Sequence, residues 1–171
     1  MRVFGFAGWS GSGKTTLIEQ LIPRLVAGGR TVSLVKHAHH AFDVDHPGKD
    51  SHRHRQAGCT EVLVSSGVRW ALLHELRGDA QMTLPEALAR LSPCDLALVE
   101  GYKTAAIPKL EIWREGSLKP VLHVQDPHIM AIATDNPGQF AQGRIPAFPL
   151  TALGQIATFV DRHSIIWPLP D

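Results

Sequence analysis

The chain has 171 residues, a formal net charge of +1, 44% hydrophobic and 19% charged residues. That balance fits one folded domain over residues 1–171 and excludes disorder, and the near-zero charge excludes a global field gathering nucleic acid or an anionic membrane. Cys59 and Cys94 make no disulfide framework or metal knuckle, and no apolar run nears the ~20 residues of a membrane span, so a cytoplasmic protein is expected.

Val3 to Ala7 is a short apolar run leading into glycines, as a buried parallel strand does. Leu17, Leu21 and Leu25 recur at helical spacing with Ile18 and Ile22 beside them, and Gly28-Gly29 ends that helix. Pro23 inside it predicts a kink near the third turn. Thr31 to Val35 reads as a second strand. Lys36 to Arg55 turns polar and rich in histidine: a long functional loop leading to a short helix over Ser51 to Ala57. Glu61 to Ser65 and Arg69 to Leu73 predict two strands joined at Ser66-Gly67. Pro85 starts a helix carrying Ala87, Leu88 and Leu91, and Leu96 to Val99 is a buried strand closed by Glu100-Gly101. Lys109 to Trp113 alternates, and a turn follows at Glu115-Gly116-Ser117. His128 to Thr134 is the last clear buried strand, Leu153 to Val160 an amphipathic helix, and Ile165 to Asp171 a proline-bearing tail. Apolar strands alternating with helices predict an α/β fold like that of phosphate-loop NTPases: a mainly parallel sheet with helices on both faces.

Gly8-Trp9-Ser10-Gly11-Ser12-Gly13-Lys14-Thr15 fits G-x-x-x-x-G-K-[ST] at every fixed position, between an apolar strand and an apolar-periodic helix. Glycines let successive N–H groups, those of Gly11, Ser12 and Gly13 among them, point into one concavity for phosphate oxygens. The following helix adds the positive end of its dipole. Lys14 reaches the β- and γ-phosphates, the Thr15 hydroxyl ligates Mg²⁺, and Thr16 is placed for the α-phosphate. Mg²⁺ also needs a carboxylate at the end of a neighbouring buried strand. Glu100 stands there, where an acid is costly unless it faces a site. Asp45 or Asp50 offers a second.

Six of the ten histidines (His37, His39, His40, His46, His52 and His54) share their segment with Lys36, Lys49, Arg53 and Arg55. A transition-metal site on His37, His39 and His40, a plain polar loop, and an anion pocket using Lys36, Lys49 and the histidines are all open. The absence of companion cysteines favours the pocket over the metal. At the end of the last strand, Asp135 is the candidate to read guanine, unless it merely starts the Asn136-Pro137-Gly138 turn.

Lys36-His37, Asp43-Val44-Asp45-His46-Pro47-Gly48-Lys49-Asp50-Ser51, Arg69-Trp70-Ala71-Leu72 and Leu98-Val99-Glu100-Gly101-Tyr102-Lys103 follow the phosphate loop in order. Together they closely resemble the molybdopterin-guanine dinucleotide biosynthesis protein B family. The resemblance implies a GTP-binding, weakly GTP-hydrolysing homodimer that assists attachment of GMP to a molybdopterin-type ligand by a separate guanylyltransferase. It also implies that Lys14, Thr15 and Glu100 serve phosphate, Mg²⁺ and any catalysis, with Lys36 and His37 beside them. The strands around Arg69 to Leu73 and Lys109 to Trp113, one of them in a hairpin extension, are expected to meet across the dimer. A small-molecule kinase would use the same loop. A partitioning ATPase would carry an extra lysine where Gly8-Trp9-Ser10 stands, and a pure interaction module would bind no nucleotide. The sequence places no glutamine or arginine to orient water, so slow hydrolysis is expected.

Overall fold

The computed structural model describes residues 1–38 and 42–167. In chain order its elements are β1 (Arg2–Ala7), α1 (Lys14–Ala27), β2 (Val32–Lys36), α2 (Asp50–Gln56), β3 (Glu61–Ser65), β4 (Trp70–His74), α3 (Leu84–Ala89) and β5 (Leu96–Glu100). There follow β6 (Lys109–Ile112), β7 (Ile129–Thr134), a 3-10 turn (Pro137–Phe140), β8 (Ala147–Pro149), α4 (Leu153–His163) and β9 (Ile165–Ile166). The chain divides into two compact units, Met1–His37 with Leu84–Asp171, and Ala38–Thr83. No helix of the described residues is long and apolar enough to cross a membrane.

The first unit holds a seven-stranded sheet in the order β2-β5-β1-β6-β7-β8, all of these parallel. β9 pairs antiparallel with Arg2 and Val3 of β1, where Arg2 also donates to Ser164. Alternation along the strands sorts side chains onto two faces. Phe4, Phe6, Leu96, Leu98, Leu110 and Ile112 pack with Leu17, Ile18, Leu21 and Leu25 of α1 and with Ile156 and Val160 of α4. Val3, Ala97, Val99 and Val35 pack with Leu84 and Leu88 of α3. Each large apolar side chain so buried contributes about 1.5–3 kcal/mol relative to exposure. Helices therefore cover both faces, as the apolar strands predict. α1 continues through Pro23 to Ala27.

One expectation is corrected here. Lys109–Ile112 cannot pair across a dimer, because β1 and β7 occupy both of its edges and all four residues are buried. Its alternation has an internal cause. Lys109 donates to the carbonyls of Lys103 and Ala105 at 2.8 and 2.7 Å and pairs with Asp126 at 2.7 Å. Glu111, fully buried, accepts from the N–H groups of Leu122 and His123 at 2.6 and 3.0 Å and meets the His123 ring at 2.8 Å. Buried charges persist only when paired and hydrogen-bonded, and these are. The polar members of the strand thus fasten the 103–126 segment to the sheet.

The second unit is built on the antiparallel β3–β4 hairpin, in which Leu63 faces Leu72 and Ser65 faces Trp70. Directly opposed residues share a face, as do i and i+2, so Leu63, Trp70 and Leu72 line one side, and all three are exposed.

Candidate functional site

Parallel strands end at a common edge, and the neighbours β1 and β6 lead on to strands on opposite sides of the sheet, β2 and β7, which opens the crevice where such folds bind ligands. The register brings Lys36, Glu100 and Phe6 into line, so β2 and β5 finish beside the strand that feeds the phosphate loop. Arg114 lies just beyond β6 and Asp135 just beyond β7, at the same edge.

In the loop, Gly13 caps α1 in the left-handed region (φ 95°) with no side-chain cap, and the first turn carries no acid. The first bond into the helix runs from Leu17 N–H to Gly13 O at 3.0 Å, so the N–H groups of Lys14, Thr15 and Thr16 precede the helical ladder. A helix start left in this state favours an anion. The Ser12 hydroxyl is buried with no hydrogen-bond partner among the described residues. A buried polar atom left in that state is costly unless a ligand completes it. Lys14 Nζ donates to the carbonyls of Gly8 and Trp9 at 3.0 and 2.8 Å. Burial pushes the Lys14 ammonium below its ordinary range; Glu100 opposes that shift, and Lys103 and Lys36 add to it.

Thr15 Oγ1 donates to Glu100 Oε1 at 3.0 Å, and Lys36 Nζ stands 3.7 Å from Glu100 Oε2. Glu100 is 5% exposed. A hydroxyl and a buried carboxylate in contact beside this helix start are hard oxygen donors of the kind Mg²⁺ takes. Gly101 (φ 92°) is required next, since a side chain there would meet His37 O at 2.9 Å. His37 N–H donates to Glu100 O at 2.9 Å, and its ring meets Tyr102 edge-on. The Lys-His and Glu-Gly-Tyr stretches, distant in sequence, are thus two adjoining strand ends. Over the loop, the Trp9 ring carries Lys103 Nζ at 4.3 Å and Lys119 Nζ at 5.6 Å, giving this mouth a cationic rim.

Beside α1 a cavity is lined by Gly13, Thr16, Leu17, Arg114, Asp135 and Leu150. Asp135 Oδ1 accepts from Glu115 N–H at 2.8 Å, and Oδ2 stands 3.7 Å from Arg114 Nη1. The Glu115 N–H holds the Asp135 carboxyl below its usual range against the opposing effect of burial, with Arg114 and Thr134 adding to the lowering. Arg114 itself was not singled out from sequence. The available signal was its position directly after a buried strand, the same signal that Glu100 and Asp135 give.

The remaining candidates fall in the second unit. Asp45 accepts from the Ser51 hydroxyl at 2.8 Å and lies 3.3 Å from Arg55 Nη2. Burial works against its ionisation, but Ser51, the His46 N–H and Arg55 outweigh it and hold the carboxyl low. Arg55 also binds Asp43 at 2.8 Å and Glu75 at 2.6 Å. The Asp-x-Asp stretch and Ser51 therefore form an internal clasp around one buried arginine. Asp50 starts α2, exposed, 3.8 Å from Arg53. Of the metal reading at His37, His39 and His40, the last two lie outside the described residues.

Comparisons with known proteins bear on the whole arrangement. The family described as Molybdopterin guanine dinucleotide synthesis protein B matches residues 3–135. The molybdopterin-guanine dinucleotide biosynthesis adapter protein of Escherichia coli is 44% identical over 138 residues, 79% of each chain. That of Haemophilus influenzae is 36% identical over 159 residues, 93% of this chain and 87% of its own. Among solved structures, the MobB homologue from Bacillus stearothermophilus has a TM-score of 0.65 at 26% identity, covering 94% of this chain and 95% of that one. Bacillus subtilis MobB has a TM-score of 0.70 at 19% identity, covering 94% and 98%, which speaks for the fold alone. The family match takes in the phosphate loop, Glu100, Arg114 and Asp135. The chain belongs to the molybdopterin-guanine dinucleotide synthesis protein B family.

Proposed function

We propose that this protein is an adapter in molybdopterin-guanine dinucleotide biosynthesis that binds GTP with Mg²⁺, hydrolyses it slowly, and assists a guanylyltransferase in the cytoplasm. The observation that carries the nucleotide reading is the Thr15–Glu100 contact beside a loop whose Ser12 hydroxyl is buried without a partner among the described residues. The loop N–H groups and Lys14 hold the β- and γ-phosphates, and Thr15 with Glu100 holds Mg²⁺, which supplies charge neutralisation on the phosphates. Lys36 balances Glu100 at the rim. This needs no second carboxylate: Asp45 is committed to Arg55 and Ser51, and Asp50 is exposed. The proposal leaves the histidine segment as a lining for the anionic pterin-type ligand.

Calorimetric titration with GTP and ATP, with and without Mg²⁺, tests the reading. Tight Mg²⁺-dependent GTP binding with weak ATP binding is expected. ATP preference together with phosphorylation of a small acceptor would instead indicate a kinase, and no nucleotide binding at all would leave an interaction module.

The homodimer belongs to the same proposal, through the β3–β4 hairpin alone. A two-stranded sheet is marginal by itself, and the exposed face of Leu63, Trp70 and Leu72 is what a second copy would cover. Light scattering at micromolar concentration should give a dimer, and Leu63→Lys with Trp70→Lys should give a monomer that still binds GTP. A wild-type monomer would overturn this part.

A further inference from the structure

Arg114 leaves the sheet directly after β6 and turns back onto the phosphate loop. Its Nε donates to Ser12 O at 3.2 Å, and Nη1 lies 3.7 Å from Asp135 Oδ2. Nη2 is the atom nearest the space that a side chain at Gly13 would fill, 3.1 Å from it. Arg114 lines the cavity of Thr16 and Asp135 and also a second one bounded by Trp9, Ser10, Ser12 and Trp113.

We propose that Arg114 is a further ligand-contacting residue of the nucleotide site, the cation that meets the α-phosphate; this rests on the nucleotide-binding reading above. The direction of the bound molecule follows from the residues. Lys14 sits within the loop, holding Gly8 O and Trp9 O, and takes the terminal phosphates, while Asp135, the candidate for the base, lines the neighbouring cavity together with Gly13 and Thr16. The phosphate joined to the nucleoside then falls between the two, by Gly13 and Thr16, and Arg114 adjoins Gly13 in that cavity. A guanidinium has five donors in one plane. Nε is spent on Ser12 O, and Nη2 has no hydrogen-bond partner among the described residues. Its free donors suit a phosphate oxygen, and a charge-assisted bond of this kind is among the stronger ones available. The Ser12 and Asp135 contacts hold the side chain in place before the ligand arrives, which limits the ordering cost on binding.

Calorimetry on the full-length protein with GTP, GDP and ATP, in wild type, Arg114→Ala and Arg114→Lys, decides the matter. Arg114→Ala should weaken GTP and GDP by the same factor, about tenfold or more, leave the GTP-to-ATP ratio unchanged, and leave the unfolding midpoint near wild type. Arg114→Lys should recover part of the loss. Loss for GTP with GDP unchanged would place the contact at the γ-phosphate and overturn the proposal. A changed GTP-to-ATP ratio would show action through Asp135, and unchanged affinities would leave Arg114 a structural tie; either result overturns it. Wild type that binds no nucleotide would refute the site reading itself, an outcome distinct from all of these.

Discussion

Lys14→Ala should abolish or severely weaken GTP binding while remaining folded. The ammonium supplies a charged hydrogen bond to phosphate, about 1.5–3 kcal/mol, which is roughly tenfold to more than a hundredfold in affinity. The protein without ligand has less to lose. Lys14 holds only the loop carbonyls of Gly8 and Trp9 and is half-buried, so water can replace it there. Calorimetry and thermal unfolding on the same samples should therefore separate, with affinity severely reduced and the midpoint little changed. Wild-type affinity in the variant would overturn the phosphate-loop assignment.

The titration of Lys14 gives this prediction a second readout. Burial lowers its pKa below the ordinary 10.5, with Lys103 and Lys36 adding to the shift. Binding requires the charged form, and a bound polyphosphate raises the pKa again. Sign follows: below the free-protein pKa the contribution is complete, and as pH rises through that lowered value affinity falls as proton uptake accompanies binding. The fall should begin below the ordinary lysine range and should vanish in Lys14→Ala.

Asp135→Asn should exchange guanine for xanthine selectivity. A carboxylate accepts from guanine N1–H and the exocyclic amine together, while adenine offers no such pair. Two charge-assisted bonds are worth roughly 3 kcal/mol or more, over a hundredfold in discrimination. Asparagine isolates the charge from the anchoring role. Its carbonyl can keep the bond from Glu115 N–H, so the loop after β6 stays tied while the other oxygen becomes an amide donor. Xanthine carries an oxygen in place of the amine and meets that donor. GTP affinity should fall and XTP affinity rise in parallel titrations. A variant that binds GTP like wild type and gains nothing for XTP would reduce Asp135 to a tie for Glu115.

Features carried by a continuous stretch of backbone were legible before any fold was known. The glycine loop Gly8 to Thr15 is one, because its shape depends on a local turn with Gly13 in the left-handed region and on the start of α1. The buried strands are another, because covering both faces demands unbroken apolar runs at Phe4, Leu98 and Ile132 alike. Glu100 was legible for a related reason, since an acid closing such a run needs a partner.

Features that depend on partners far along the chain were not legible. β8 and β9, of three and two residues, are too short to show a pattern and exist by pairing with β7 and β1. Lys109 and Glu111 look like the solvent side of a strand, yet Asp126 and His123 close over them. Asp45 reads as a spare carboxylate until Arg55 is seen to hold it. Arg114 reads as one more turn residue until the sheet carries it to Ser12 and Asp135. Local backbone chemistry and apolar periodicity are written in neighbouring residues, so the sequence by itself determined the glycine turn between β1 and α1 and the layered α/β fold. Whether a charge faces water, a salt bridge or a ligand depends on what the chain brings opposite it, and only the tertiary structure decided that.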